Sequence, residues 1–174
     1  MELLEYFDEK NENLIGVEER QVIHNKGLWH REVAVWVVND KNEVLLQRRS
    51  AKKKQGANKI SITAGHIDVD EKPECAAVRE LSEEVGIFVQ TSDLIFLDIY
   101  RNERVDNKCF SYTYLVKTDK KIEDMCIQED EVSEVMYSSI ENLEDRIKNG
   151  DEELSFSKKT YTKQILEQIK KRIG

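Results

Sequence analysis

The chain has 174 residues, enough for one domain with a proper core, and its 36% charged and 39% apolar residues are a globular composition rich in surface charge. A formal net charge of −8 argues against a duplex-binding basic face, and an acidic protein of this kind can take a phosphate compound if a divalent cation sits between them. The first thirty residues carry acids throughout and no continuous apolar run, so neither a secretory signal nor a membrane span is expected; with three widely spaced cysteines and no CxxC pair, a cytoplasmic protein with reduced thiols is expected.

In chain order, Leu3 to Phe7 and Leu14 to Val17 flank a polar turn and form an expected N-terminal hairpin, about 3–17. The run from Glu32 to Asn39 (EVAVWVVN) is β-rich and apolar, as a central strand should be, and Glu43 to Arg48 returns from the turn at 40–42. Ser50 to Lys59 reads as a basic loop, and Ile60 to Ala64 as a short strand. A helix should start near Pro73, a residue suited to the first helical turn, and stop at Gly86, which can adopt the left-handed conformation. Strands are expected at Ile87–Gln90, Leu94–Arg101, Cys109–Thr118 and Glu134–Ser138, and helices at Ser139–Asn149 and about 158–173. No linker or repeat divides residues 1–174, which read as a single α/β domain built around a mixed sheet.

The chemistry sits in Gly65 to Ile87, GHIDVDEKPECAAVRELSEEVGI. At about 100° per residue, Glu80, Glu83 and Glu84 project into one sector about 100° wide, and Ala77, Val78, Leu81 and Val85 form an apolar stripe to one side. Clustered carboxylates repel one another, and a hard divalent cation relieves the repulsion. A solvated glutamate-rich face with i,i+4 pairing fits the same spacing, so spacing alone leaves both readings open.

Gly65, Glu71, Arg79, Glu80, Leu81, Glu83, Glu84, Gly86 and Ile87 fill every defined position of the Nudix box, and the segment resembles that family. The resemblance implies an α/β/α sandwich and a Mg²⁺-dependent hydrolase, with Mn²⁺ as the other candidate ion, acting on a small-molecule diphosphate. It also implies roles. Glu83 and Glu84 resemble the principal metal ligands, joined by the Gly65 carbonyl. Glu80 completes the metal site or accepts the proton of the attacking water, Arg79 orients the carboxylates, and Glu71 supports the loop. A distal acid is often used in this fold, and Glu131 is the preferred candidate among Glu129, Asp130, Glu131 and Glu134.

Outside the box, Trp29-His30-Arg31, EVAVWVVN and the run from Val44 to Ser50 resemble the branch that includes isopentenyl-diphosphate isomerase. Ala64 stands where that isomerase carries a catalytic cysteine, which favours hydrolysis. A non-catalytic binding module would be expected to lose box glutamates, and none is missing. Arg31, Arg48 and Lys54 are the candidate contacts to substrate phosphate, although a solvated basic loop is the plainer reading of Arg48 and Lys54, and an edge-of-strand pair with His30 in ordinary hydrogen bonds fits Arg31 equally. Arg48 and Arg49 are adjacent on a strand, so at most one should face the cleft. The hairpin and the two late helices offer surfaces for a homodimer.

Overall fold

The computed structural model describes residues 2–156 and 159–174. An antiparallel hairpin, β1 (Leu3–Phe7) and β2 (Leu14–Glu19), leads through a short helix α1 (Arg20–Lys26) into the main sheet. That sheet holds β3 (His30–Val38), β4 (Glu43–Arg49), β5 (Ile60–Ser61), β6 (Thr63–His66), β7 (Ile95–Arg104), β8 (Asn107–Lys117) and β9 (Val132–Ser139). Helix α2 (Pro73–Val85) lies on one face; α3 (Ile140–Lys148) and α4 (Lys159–Ile173) lie on the other. The sheet is mixed, because β3 runs parallel to β8 and antiparallel to β4 and β6. The expected α/β/α sandwich is therefore the observed architecture. The expected helix start at Lys158 lies outside the described residues.

β3 explains the layering. Successive side chains alternate between faces, so Val33, Val35 and Val37 pack with Ala77, Leu81 and Val85 of α2. Trp36 and Val38 point the other way, onto Leu143 of α3 and Ile165 and Leu166 of α4. A strand covered on both faces reads as a continuous apolar run. Leu81 is fully buried in the α2 layer, and its truncation to alanine should cost about 2–5 kcal/mol.

Helix α2 has the anticipated ends. Pro73 opens it, and Gly86 closes it at φ +66°, where its N–H and that of Ile87 bond back to Ser82 and Leu81. A Cβ on Gly86 would also lie 2.9 Å from the Cys126 backbone nitrogen, so glycine is required there twice over. The buried stripe is rotated from the expected one: Ala76 and Glu84 are inside and Val78 is only half-buried. One box carboxylate therefore lies within the protein.

Three elements differ from expectation. The strand expected at Ile60–Ala64 is two, because β5 pairs with β4 and β6 with β3, and those partners share only the pair Val38–Val44 before diverging. Ile87–Gln90 has no ladder partner among the described residues and runs as coil into a 3₁₀ turn at Thr91–Asp93. Helix α1 was not anticipated, since Ile23 is its single buried residue and no apolar period marks it.

Candidate active site

The divergence of β3 and β4 opens a cleft of about 630 Å³ whose floor includes Glu32, Ala34 and Trp36 of β3. The carboxylate edge of α2 forms one wall and the loop after β4 another. Gly65 makes the first wall possible, because a Cβ there would collide with the Glu80 carboxylate.

Arg79 is the hub of that wall. Its Nε and Nη2 donate to both oxygens of Glu71 (3.0 and 2.9 Å), Nη1 donates to Glu80 (2.9 Å) and Glu83 (3.2 Å), and Nη2 also reaches the His66 carbonyl (2.9 Å). Such paired, charge-assisted bonds fix orientation. Burial pushes the Glu71 carboxyl up, but the Arg79 contacts outweigh it and hold the group below its usual range. Glu80 goes the other way, raised by burial against the pull of Arg79.

Glu84 is the most isolated charge. It is 4% exposed and accepts a hydrogen bond from Gln47 Nε2 at 2.7 Å, and the Gln47 carbonyl in turn accepts from Thr63 Oγ1 at 3.0 Å. Burial pushes its pKa up to about 8, and the charges of Glu80 and Glu131 add to the rise. A buried carboxyl with two carboxylate neighbours is costly to ionise in a poorly screened place, and a divalent cation would relieve that cost. Glu80, Glu83, Glu84 and Glu131 all line this cleft with Gly65. Their carboxylates have not converged, since Glu80 and Glu83 lean on Arg79, Glu84 on Gln47 and Glu131 on Lys53.

None of the three phosphate-contact candidates lines the cleft. Arg31 shares the α2-facing side of β3 with Val33; its guanidinium lies 3.9 Å over the Phe7 ring and 3.6 Å from Glu12, away from the cleft. Arg48 points out to Glu134 (3.1 Å), Glu153 (3.3 Å) and the Asn58 carbonyl (2.9 Å). Lys54 is exposed at the loop surface. Of the basic loop's cations, Arg49, held by the Gln55 carbonyl at 3.3 Å, and Lys53, paired with Glu131, line the cleft, which Arg20, Arg79 and Arg104 line from other elements. Arg48 and Arg49 diverge, although the pairing of β4 with β9 is irregular between them. Trp29 and Phe110 are core, packed with Phe7.

A second donor group lies further along the floor. One nitrogen each of His24, His30 and His66 fall within 4.8 Å of one another, as do donor atoms of His30, Glu32 and Cys109. His24 Nε2, His66 Nε2 and Asn107 Oδ1 are buried without hydrogen-bond partners, so this cluster could also hold a metal ion. Glu32 is partly buried, which favours its neutral form, yet its bonds with His30 and Cys109 and the nearby His66 hold its carboxyl well below the usual range. Burial and the Glu32 charge push the Cys109 thiol far up, so it stays protonated and donates to Glu32. No sequence spacing joins these residues, and Gln47 was missed as well, although a polar residue inside the apolar strand VLLQR was a signal.

The NUDIX domain model matches residues 28–157. The chain is 34% identical to an uncharacterised Nudix hydrolase of Clostridium acetobutylicum over 82% of its own length and 72% of that protein's. It is 31% identical to an isopentenyl-diphosphate Delta-isomerase of Photorhabdus laumondii, over 82% of this chain and 80% of that one. A crystal structure of a Deinococcus radiodurans protein superposes with a TM-score of 0.68 at 21% identity, covering 86% of this chain and 90% of the other, which shows the shared fold.

Proposed function

The chain belongs to the Nudix family and is a hydrolase of phosphoric anhydrides; from that premise we propose that its cleft cleaves a diphosphate linkage in a nucleoside diphosphate derivative or another organic diphosphate. Mg²⁺, or Mn²⁺ in its place, would be held by Gly65, Glu80, Glu83, Glu84 and Glu131. The observation that carries this reading is Glu84, a buried carboxylate pushed up to about 8 with Glu80 and Glu131 beside it. When bound, the cation supplies charge neutralisation for the diphosphate and for the attacking water.

The protein's own residues do the rest. Arg79, braced by Glu71, holds Glu80 and Glu83 facing the cleft. Glu80, with its pKa raised by burial, is the proton acceptor for the water, since a general base works best when its pKa approaches the working pH. Arg49 and Lys53 face the carboxylates from the loop wall and would bind the phosphate oxygens whose charge grows as the anhydride breaks. Ala64 lines the cleft with a methyl group and contributes no proton chemistry.

The isomerase reading has in its favour the isomerase relative and the thiol of Cys109 in the same cleft, but that thiol is held protonated against Glu32. A panel of nucleoside diphosphates, nucleotide sugars and isoprenoid diphosphates, assayed for phosphate products with Mg²⁺, Mn²⁺ or EDTA, tests the proposal. Hydrolysis that needs the metal and falls by orders of magnitude in Glu83→Gln supports it. Isomerised isopentenyl diphosphate, or no product from any member, counts against it.

A further inference from the structure

Lys53 and Glu131 are joined by an ion pair inside the cleft, with 20% and 33% of their side chains exposed. The pair is not what holds the loop in place. The Ser50 N–H donates to the Glu131 carbonyl at 2.9 Å, the Glu131 N–H to Gln128 at 2.8 Å, and the Gln128 N–H to the Glu84 carbonyl at 3.1 Å. A backbone chain of bonds thus ties the basic loop through the turn at 128–131 to the end of α2. A neighbouring pair, Lys52 with Asp130 at 2.5 Å, faces solvent with over 70% of each side chain exposed. Lys53 differs from it by pointing inward, at the acid expected to meet the metal.

We propose that Lys53 is an exchanging ligand: it neutralises Glu131 while the cleft is free, and transfers its ammonium to a substrate phosphate once a divalent cation takes Glu131. The proposal rests on the hydrolase reading above. A cation at Glu131 repels the ammonium at the same time as it competes for the carboxylate. Lysine is suited to the move, because its charge is a compact ammonium on a flexible four-carbon stem. Arg49 is braced by the Gln55 carbonyl and stays on its wall as a fixed cation. Glu131 and Glu84 line the same cleft, and the charge of Glu131 is felt at Glu84.

The exchange makes Lys53 act with opposite sign on the two ligands. Removing it should tighten metal binding and weaken substrate binding, whereas a structural strap would weaken both or neither. Mn²⁺ binding to the substrate-free protein, followed by the electron paramagnetic resonance signal of the free ion, reads the first effect. Lys53→Gln should bind Mn²⁺ about fivefold tighter, the size of one partly exposed ion pair. Glu131→Gln should bind it more weakly, and the Lys53→Gln/Glu131→Gln double variant no more tightly than Glu131→Gln alone. Lys52→Gln, which removes the same charge one residue away, should change Mn²⁺ affinity by less than about twofold. With a substrate from the panel, Lys53→Gln should raise KM about fivefold and lower kcat/KM by at least as much. Unchanged or weaker Mn²⁺ binding in Lys53→Gln overturns the exchange, as does equal tightening in the Glu131→Gln background. An unchanged KM overturns the transfer to phosphate. If no panel member is hydrolysed, the hydrolase reading fails, while the Mn²⁺ series still decides whether Lys53 and the metal compete for Glu131.

Discussion

Glu84→Gln should stabilise the metal-free protein, and by an amount that depends on pH. The carboxyl has an ordinary pKa of 4.5 and is pushed up to about 8 in the fold, chiefly by burial. A carboxyl raised in this way favours folding fully only below about pH 4.5, and that contribution is lost as the pH climbs toward 8. At pH 7 the loss spans two and a half pH units at about 1.4 kcal/mol each, or about 3.5 kcal/mol at most. Glutamine has nearly the same shape, can keep a hydrogen bond with Gln47, and never ionises. For a domain of this size, about 3.5 kcal/mol corresponds to a Tm higher by about 7–14 °C. Thermal melts of both proteins in EDTA at pH 4.5, 6, 7 and 8 measure the gap directly. It should be near zero at pH 4.5, open between 4.5 and 8, and shrink at pH 8 when Mg²⁺ is added, since the ion stabilises wild type by about 2.7 kcal/mol at a hundredfold excess over Kd and lacks its ligand in the variant. Superimposed melts at pH 7, or a gap that widens toward acid, would refute the reasoning.

Three further outcomes are expected. Arg49→Ala should raise KM in a salt-sensitive way, whereas Arg48→Ala, whose partners Glu134 and Glu153 are mostly exposed, should leave KM unchanged and cost no more than about 1 kcal/mol in a denaturant titration. Gly65→Ala should cut turnover by orders of magnitude through displacement of the Glu80 carboxylate, and a crystal structure or Mn²⁺ titration of the folded variant will show whether the box has moved. Zn²⁺ or Mn²⁺ titrated calorimetrically should bind the histidine cluster, and a second stoichiometric site that survives His24→Ala unchanged would exclude that cluster as the donor.

Read residue by residue, the chain itself determines a good deal. The run EVAVWVVN is apolar at successive positions because β3 is covered on both faces, and that is visible without coordinates. Pro73 and Gly86 mark the ends of α2 because one lacks an N–H that would be unsatisfied and the other tolerates positive φ. Arg79, Glu80, Glu83 and Glu84 share a helix face because the helical turn is a local property. What only tertiary structure decides is whatever depends on packing between elements distant in sequence. Helical spacing treats Glu83 and Glu84 alike, yet Glu84 is buried against Gln47 of β4 and Glu83 is exposed, since the side of α2 that meets the sheet is set by the sheet. Alternation says that Arg48 and Arg49 diverge, but the side on which the cleft lies follows from where β3 and β4 part. His24, His30 and His66 come from α1, β3 and β6, and they meet because β6 pairs with β3 in a register that sets Glu32 opposite His66. Short-range periodicity carries helix faces and strand faces; it carries no information about which faces are brought together, because that follows from burying apolar area over the whole chain.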